Sequence, residues 1–428
     1  MRYPSIPSSL FTDRRKDFAK KMVSASVAIF CSNDPMPRSG DQFFPFRQDS
    51  ALFALSGLDQ PGTIIVLNPD AKKKSNREIA FILPPDPEHL IWHGERYSQK
   101  QATAVSGIST IYTIDQWDRI MPSLVRSAST IYTLPRHTDW SETEVKTQND
   151  RMNEKLKQLY PKHTFQSANA ILTRMLMLKH PVEIDLMRNA VQVTGRAFDS
   201  VLHHIRPGMF EYEVEARLTY EISRHGCQYA FEPIVASGGS ACTLHYVRND
   251  KRIGRRDLVL IDFGAEYACM ASDMTRTIPA SGTFTKRQRA IYTSVLNVLN
   301  EITTMMRPGV TLDELNREAG VLIERELVRL KIISNRDLRR QDAASPLRRK
   351  YFMHGIGHHL GYDVHDVSDR RAPLKPGMVI TCEPGLYILE EQIGIRLEND
   401  ILITRGKPKN LMADIPIEPE EIEALMNA

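Results

Sequence analysis

An approximate repeat in the second half of the chain is the feature that most constrains its fold. RPGMFEYEVEARLTYEI begins at Arg206 and RPGVTLDELNREAGVLI begins at Arg307, and each places Arg-Pro-Gly before an acidic amphipathic helix. A second pair follows in the same order, because DLVLIDFG (257–264) and GMVITCEPG (377–385) are both β-rich runs ending in a carboxylate and then glycine. Two matched pairs in one order predict an internally duplicated unit of helices followed by strands.

The repeat puts two carboxylates in matching positions. Asp262 ends the first β-rich run and Glu383 ends the second. A duplicated fold would bring them together near a pseudo-twofold axis. A turn is expected around residues 265–267, after the first run. A long helical pattern precedes the repeat, with Pro181 and Glu183 suited to its first turn.

The first part of the chain has a different pattern. A chain of 428 residues is longer than one ordinary core supports, so two domains are expected. Helical stretches lie between several β-rich runs, which are SVAIF (26–30), GTIIVLN (62–68), EIAFIL (78–83) and STIYTL (129–134). We therefore predict an α/β (α+β) protein, with an N-terminal α/β domain over residues 1–170 and a duplicated C-terminal domain over residues 171–428.

Composition excludes several classes of protein. The net charge of +4 is too weak and dispersed to predict a nucleic-acid partner. No apolar run approaches the roughly 20 residues that a membrane helix needs, and MRYPSIPSSLFTDRRKDF contains no apolar signal core. The five cysteines include no CxxC pair, which is typical of reduced thiols. A cytoplasmic protein without a membrane partner is expected.

Four carboxylates lie in otherwise apolar, β-rich runs: Asp262, Asp273, Glu383 and Glu398. Burying a carboxylate without a partner is costly, and four in one core would repel one another. Two divalent cations would balance four negative charges, and one histidine would complete such a ligand set. Oxygen ligands with a single nitrogen favour Mn²⁺ over a structural zinc site, with Co²⁺, Zn²⁺ or Fe²⁺ as alternative occupants.

The stretch YFMHGIGHHLGYDVHD (351–366) contains four of the chain's 13 histidines. Two glycines separate His354 from His358, which disfavours a helix and differs from the HExxH metal motif. We predict an extended backbone whose glycines allow close approach to another group. A single histidine here would usually be a hydrogen-bonded core residue, but His354, His358 and His365 beside a carboxylate cluster indicate a functional site.

Taken together, these residues resemble the five-ligand signature of dinuclear-metal peptidases with the pita-bread fold. HGIGHHLGYDVHDV (354–367) is close to the HGxxHxLGxDVHDV stretch of the proline-specific branch, and TLHY (243–246) to its ILHY-type segment. FRQDSALFALSGL (46–58) resembles a motif of that branch's N-terminal domain. The resemblance covers nearly the whole chain and is greatest to Xaa-Pro aminopeptidases.

The resemblance implies a role for each residue. Asp262 would hold one metal ion, His358 and Glu383 the other, and Asp273 and Glu398 would bridge both. A hydroxide between the ions would attack the bond between the N-terminal residue and proline, in peptides with proline in second position. The resemblance further implies that Glu383 carries a proton to the leaving nitrogen and that His245 and His365 stabilise the carbonyl oxygen. His354 would line the proline pocket, with Tyr387 as a weaker candidate for the pocket wall. Arg396 would order the ligands, and His359 would have no role.

Prolidase, which cleaves Xaa-Pro dipeptides, is the main alternative, because it would use the same ligands and histidines. A non-catalytic pita-bread binding module is a less favoured alternative, because such modules lack the ligands. Methionine aminopeptidases are disfavoured because they lack the first domain, and creatinase because it keeps the fold without the metals. The basic segment 334–350 is expected to be a solvated loop or helix end. The family resemblance further implies a homodimer or homotetramer.

Overall fold

The computed structural model describes residues 3–136 and 144–428 and divides into an N-terminal unit, 3–176, and a C-terminal unit, 177–428. A mixed β-sheet forms the centre of the N-terminal unit. The strands of this unit are β1 (Ser26–Cys31), β2 (Pro37–Ser39), β3 (Gln42–Phe43), β4 (Ile64–Leu67), β5 (Glu78–Ile82), β6 (Thr110–Thr113), β7 (Thr130–Thr133) and β8 (Thr164–Ser167). Its helices are α1 (Ser8–Ala19), α2 (Ser50–Ser56), α3 (Pro87–His93), α4 (Gln99–Ser106), α5 (Trp117–Val125), α6 (Gln148–Leu159) and α7 (Asn169–Leu176).

The central sheet has the strand order β6-β5-β4-β1-β7-β8. Strand β1 runs antiparallel to β4 and parallel to β7, so the sheet is mixed. Each of the four β-rich runs predicted in this region forms one of its strands, namely β1, β4, β5 and β7. Apolar side chains of the strands pack with those of the helices, for example Val66 and Phe81 with Trp117 and Leu156.

The C-terminal unit contains the repeat. Its helices are α8 (Pro181–His204), α9 (Glu211–Arg224), α10 (Lys286–Met305), α11 (Leu312–Arg329), α12 (Asn335–Arg340) and α13 (Pro419–Met426). Its strands are β9 (Gln228–Tyr229), β10 (Ile234–Ser237), β11 (Leu258–Phe263), β12 (Ala265–Tyr267), β13 (Met270–Ala271), β14 (Met274–Pro279), β15 (Val379–Cys382), β16 (Gly385–Ile388), β17 (Ile393–Arg396), β18 (Asn399–Leu402) and β19 (Lys409–Asn410).

The predicted duplication is visible in these elements. Helices α8 and α9 are joined through one Arg-Pro-Gly turn and α10 and α11 through the other, and both glycines, Gly208 and Gly309, have a φ of 96°. That left-handed conformation is one that glycine adopts without steric cost. In the first half β11 pairs antiparallel with β14, and in the second half β15 pairs antiparallel with β18. Apolar faces of the four helices pack against these strands in one continuous core.

Other local predictions are confirmed as well. Helix α8 begins at Pro181, and the backbone N–H of His180 donates to the Glu183 carboxylate in a capping box. The basic segment 334–350 contains the exposed helix α12 and a short 3₁₀ turn. No helix in the described parts of the chain is both long enough and apolar enough to cross a membrane.

Two local predictions were wrong. Residues 265–267, expected to be a turn, form strand β12, and the chain reverses at Ala268 and Cys269, which both have positive φ. The β-rich run around Glu398 is not one strand, because β17 ends at Arg396 and β18 begins at Asn399. Glu398 therefore lies in the short break between two strands, where its backbone N–H donates to the Thr275 carbonyl at 3.0 Å.

Candidate metal centre

The four carboxylates lie at equivalent places in the two halves of the repeat. Asp262 lies in β11 and Asp273 immediately precedes β14, while Glu383 immediately follows β15 and Glu398 immediately precedes β18. Asp262, Asp273 and Glu398 are buried, and Glu383 is half-buried. Each antiparallel pair of strands thus contributes two carboxylates to one region, as the duplication predicts.

One histidine joins the carboxylates. His358 Nε2 lies 3.4 Å from Asp273 Oδ2 and 3.7 Å from Glu383 Oε1. One ligand atom from each of Asp273, His358 and Glu398 lies within 4.8 Å of the others, a spacing that suits a shared metal ion. The structure thus brings a nitrogen donor to the carboxylates, as the sequence indicated.

Two oxygens of the cluster have unsatisfied hydrogen-bonding capacity. Among the described residues, neither Asp262 Oδ1 nor Glu398 Oε1 has a hydrogen-bond partner, although both atoms are buried. A buried acceptor without a partner costs about 1–3 kcal/mol, and more if it is charged. Divalent cations coordinated by these oxygens would remove that cost, so the donor set fits the implied metal pair.

The acidity of the cluster is strongly perturbed. Burial, together with repulsion from Asp262 and Glu383, raises the pKa of Asp273 well above its ordinary value. Burial and the nearby carboxylates of Asp273 and Asp262 do the same for Glu398. Burial and Glu398 raise the pKa of Glu383 to about 8. Without cations, Glu383 therefore retains a proton at neutral pH.

Arg396 connects the carboxylates to the surrounding polar groups. Its guanidinium donates to Asp262 Oδ2 at 2.5 Å, to Thr275 Oγ1 at 3.1 Å and to the Tyr387 hydroxyl at 2.9 Å. Thr275 in turn donates to Glu398 Oε2 at 2.7 Å. Arg396 thus holds one carboxylate directly and a second through a threonine, which restricts the directions of both.

Residues 356–360 of the histidine segment pair with β15, in agreement with the predicted extended backbone, whereas residues 361–365 bend away from it. The Thr381 N–H donates to the His358 carbonyl, and the Leu360 N–H donates to the Val379 carbonyl. A Cβ on Gly357 would lie 2.0 Å from the Thr381 carbonyl oxygen, so only glycine allows this approach. Pairing with β15 places His358 beside Glu383, which follows the same strand.

The ring of His358 is fixed in one tautomer. Its Nδ1 lies 3.0 Å from the His359 carbonyl oxygen, which can only accept, so Nδ1 carries the proton. In the neutral ring, Nε2 then has its lone pair on the side that faces Asp273 and Glu383. A ring held in this way by a backbone carbonyl is a common arrangement for a metal-ligating histidine.

His354 belongs to a chain of hydrogen bonds. Because Nδ1 of the neutral His354 ring must donate to the Gly355 carbonyl, Nε2 carries no proton and accepts from the Tyr387 hydroxyl at 2.8 Å, which itself accepts from Arg396. His354 Nδ1 donates to the Gly355 carbonyl and lies 3.6 Å from Glu383 Oε2. Burial, followed by the charge of Arg396, lowers the pKa of His354 to about 3, so its ring is neutral.

The two remaining histidines lie close to this group. The rings of His358 and His365 are 4.4 Å apart between centroids and nearly perpendicular. Burial, then the rings of His358 and His245, lowers the pKa of His365 to about 4. His245 is exposed, and the next residue, Tyr246, anchors its loop by donating to Glu211 at 2.8 Å. All the predicted site residues therefore lie in the C-terminal unit around one carboxylate cluster.

Sequence reasoning missed several residues of this site. Thr275 lies opposite Asp262 in the β11–β14 register. The alternation of Asp273, Thr275 and Thr277 along a buried strand was a usable signal for it. Arg276, fully buried, donates to the Glu398 carbonyl at 2.6 Å and to the Asn399 side chain at 2.8 Å. No local pattern indicates that bond.

Comparison with known proteins gives the same result as the fold and the site. Residues 185–405 match metallopeptidase family M24, and residues 11–132 match the aminopeptidase P N-terminal domain. The duplicated unit and its carboxylate cluster thus define a metallopeptidase with the pita-bread fold.

The relatives narrow the class further. The chain is 35% identical to the Xaa-Pro aminopeptidase of Escherichia coli, over 98% of this chain and 97% of the relative. The structure of the E. coli aminopeptidase P with the inhibitor Pro-Leu matches with a TM-score of 0.88, 33% identity and 99% coverage of both chains. That of Pseudomonas aeruginosa aminopeptidase PepP matches with a TM-score of 0.90, 33% identity and coverage of 99% and 98%. The chain belongs to the Xaa-Pro aminopeptidase family.

Proposed function

We propose that this protein is a metal-dependent exopeptidase that releases the N-terminal residue from peptides with proline in second position. The observation that carries the proposal is the group of Asp273, His358 and Glu398, whose ligand atoms lie within 4.8 Å of one another. Glu383 lies beside His358, and buried oxygens on Asp262 and Glu398 lack partners among the described residues. The family relationship supports the choice of substrate, since both domains match Xaa-Pro aminopeptidases.

The proposed metal ligands are the four carboxylates and His358, divided between two ions as the family resemblance implies. Asp262 would hold one divalent cation, His358 and Glu383 the other, and Asp273 and Glu398 both. Such a pair of cations would act as a Lewis acid and would lower the pKa of a bound water molecule toward neutral pH. The mainly oxygen donor set supports Mn²⁺ as the native metal, with Co²⁺, Zn²⁺ and Fe²⁺ as alternatives.

Glu383 is proposed to move the proton. Its carboxylate lies between two rings, with Oε1 3.7 Å from His358 Nε2 and Oε2 3.6 Å from His354 Nδ1. It is half-buried, whereas the other three carboxylates are buried, so it has the best access to substrate. Glu383 would take a proton from the attacking water and deliver it to the prolyl nitrogen as that nitrogen leaves.

His365 and His245 are proposed to stabilise the substrate carbonyl oxygen. With its pKa lowered to about 4, His365 is neutral at physiological pH and can present an N–H. A neutral donor already in position stabilises charge that develops on an oxygen, without the cost of burying an imidazolium. His245 lies close enough to lower the pKa of His365 through its charge, which supports a shared role.

The wall of the proline pocket is proposed to include His354. Its two ring nitrogens are engaged by Tyr387 and Gly355, which leaves the faces of the ring for packing. Phe352 contacts His354 edge-on, with ring centroids 4.7 Å apart. A Xaa-Pro bond has no N–H for strand-like binding, so recognition of the ring itself provides an alternative.

A paired peptide assay tests the proposal. The protein is loaded with Mn²⁺ and given an Xaa-Pro-Yaa tripeptide, the matching Xaa-Pro dipeptide and an Xaa-Ala-Yaa control. We expect cleavage of the first peptide and little of the control. Cleavage of the dipeptide alone would assign a prolidase instead, and no hydrolysis of any peptide by the loaded protein would favour a binding module.

Assembly and location stay predictions. A homodimer or homotetramer is proposed from the family relationship, and measurement of the molar mass in solution by light scattering tests it. A cytoplasmic location is proposed from the cysteine pattern, which has no CxxC pair and is typical of reduced thiols, and one relative, from Arabidopsis thaliana, is described as mitochondrial. Fractionation of the cells that produce the protein would decide between these compartments.

A further inference from the structure

A buried ion pair lies beside the histidine segment. Lys179 Nζ is 2.8 Å from Asp366 Oδ2, and the two side chains are 0% and 1% exposed. Desolvating two charges offsets most of their mutual attraction, so such a pair is weak ground for stability. The pair does fix the relative position of two chain segments that lie 187 residues apart in the sequence.

Asp366 directly follows His365 and is tied to the backbone of the same segment. Its N–H donates to the His359 carbonyl at 3.0 Å. The same carbonyl accepts from His358 Nδ1, also at 3.0 Å. One backbone oxygen therefore fixes both the ring of the proposed metal ligand and the backbone immediately after His365.

The ion pair packs directly on the backbone of this loop. A Cβ on Gly361 would lie 2.1 Å from Asp366 Oδ2 and 2.6 Å from Lys179 Cε. The Gly361 carbonyl accepts from the Ala271 N–H at 2.8 Å, which adds a contact from β13. The turn from 361 to 366 is thus closed on one side by the ion pair and on another by a hairpin.

Both ends of the turn are attached to the chain around the start of α8. At one end the Tyr362 hydroxyl donates to Glu183 Oε1 at 2.8 Å. At the other end Asp366 bonds to Lys179, whose own N–H donates to the Gly377 carbonyl at 2.8 Å. His365 therefore lies in a turn that is held by two buried, hydrogen-bonded residues, Tyr362 and Asp366.

We propose that Lys179 and Asp366 are positioning residues for His365, whose ring they hold at the distance from the metal centre that the reaction requires. The inference rests on the proposed function, in which His365 stabilises the carbonyl oxygen. Positioning errors of about 1 Å can lower turnover by about 100-fold, which sets the scale of the expected effect.

A double-mutant cycle tests this role. The variant Lys179→Met with Asp366→Asn removes both charges at once, so no unpaired charge is left buried. It is made with His365 present and in the His365→Ala background, and kcat, KM and bound Mn²⁺ are measured for all four proteins. With His365 present we expect a 10- to 100-fold loss of kcat, with KM within about threefold and unchanged metal content. In the His365→Ala background we expect less than a twofold further loss.

Each other outcome is decisive. If the neutral pair keeps full kcat while His365→Ala loses it, the inference is overturned and the proposed role of His365 stands. Equal losses in both backgrounds, or loss of Mn²⁺, would show that the pair acts through something other than His365. Full activity of His365→Ala would overturn the inference together with the proposed role of that histidine.

A matched control separates positioning from stability. Glu326 on α11 is also a buried carboxylate, 4% exposed and 2.7 Å from Arg329 Nε. Glu326→Gln should lower Tm while leaving kcat unchanged. If the neutral pair does not melt cooperatively, Asp366→Asn alone, which keeps an acceptor for Lys179, replaces it in the cycle and is judged by the same criteria.

Discussion

Thr275 gives the sharpest test of how the metal centre is organised. Its hydroxyl accepts from Arg396 Nε at 3.1 Å and donates to Glu398 Oε2 at 2.7 Å, and the residue is fully buried. Thr275→Val keeps the shape of the side chain but removes both hydrogen bonds. Glu398 Oε2 and Arg396 Nε then lose this partner inside the protein.

The size of the effect follows from those two bonds. A buried polar group left without its partner costs about 1–3 kcal/mol, so the free energy of unfolding should fall by a few kcal/mol. Loss of a group that orients a metal ligand typically lowers metal affinity about 10- to 100-fold. That range corresponds to about 1.4–2.7 kcal/mol of binding free energy.

Thr277 provides a matched control on the same strand. Its hydroxyl also bonds to Arg396, but to the backbone carbonyl at 3.1 Å, and it is equally buried. Both variants, Thr275→Val and Thr277→Val, are titrated with Mn²⁺ by calorimetry and melted without metal. We expect both to lose stability and Thr275→Val alone to lose metal affinity. The proposed organisation would be refuted if both variants lost the same Mn²⁺ affinity, or if Thr275→Val kept the affinity of the unchanged protein.

Further predictions concern the remaining site residues. Glu398→Ala should lower both metal content, measured by elemental analysis, and turnover; full activity with two bound ions would contradict the site. His365→Ala should retain both ions and lose kcat by about 100-fold or more, and unchanged kcat would exclude its role. In the metal-free protein the pKa of Glu383 is about 8, above the 4.5 of an ordinary glutamate. Between these pH values the folded state binds a proton that the unfolded chain does not, so stability should fall as pH rises from about 5 to 8. Thermal melts should show this fall before Mn²⁺ is added and a smaller one afterwards. Cys242→Ser should stay active because serine can still donate to the Ile393 carbonyl, which Cys242 Sγ approaches at 3.5 Å; loss of activity would count against a structural thiol.

Much of the fold could be predicted because its signals are local. The apolar runs that form β1, β4, β5 and β7 are visible in the sequence, as are the two Arg-Pro-Gly turns. The four carboxylates can be recognised in the sequence because burying a charged residue in a β-rich run is costly unless the charge is paired. The reversal at Ala268 and Cys269 could not be predicted, since neither residue type favours positive φ.

What the sequence could not show depends on contacts between distant segments. Thr275 and Glu398 are separated by 123 residues, and either one alone has several ordinary interpretations. No role is predicted for the side chain of His359, yet its backbone carbonyl accepts hydrogen bonds from both His358 and Asp366. Every residue has a backbone carbonyl, so the hydrogen bonds that such a group accepts in a site cannot be predicted from residue type.

Two buried arginines of the C-terminal unit, Arg276 and Arg396, have a consequence for how the protein gains and loses its metals. Arg276 in the first half donates to Glu398 and Asn399 in the second, and Arg396 in the second half donates to Asp262 in the first. Burial lowers the pKa of Arg276 only to about 10, so it remains charged at neutral pH. These exchanged side chains join the halves through hydrogen bonds that involve no cation. We therefore expect the metal-free protein to stay folded, so that added metal alone would restore activity without refolding.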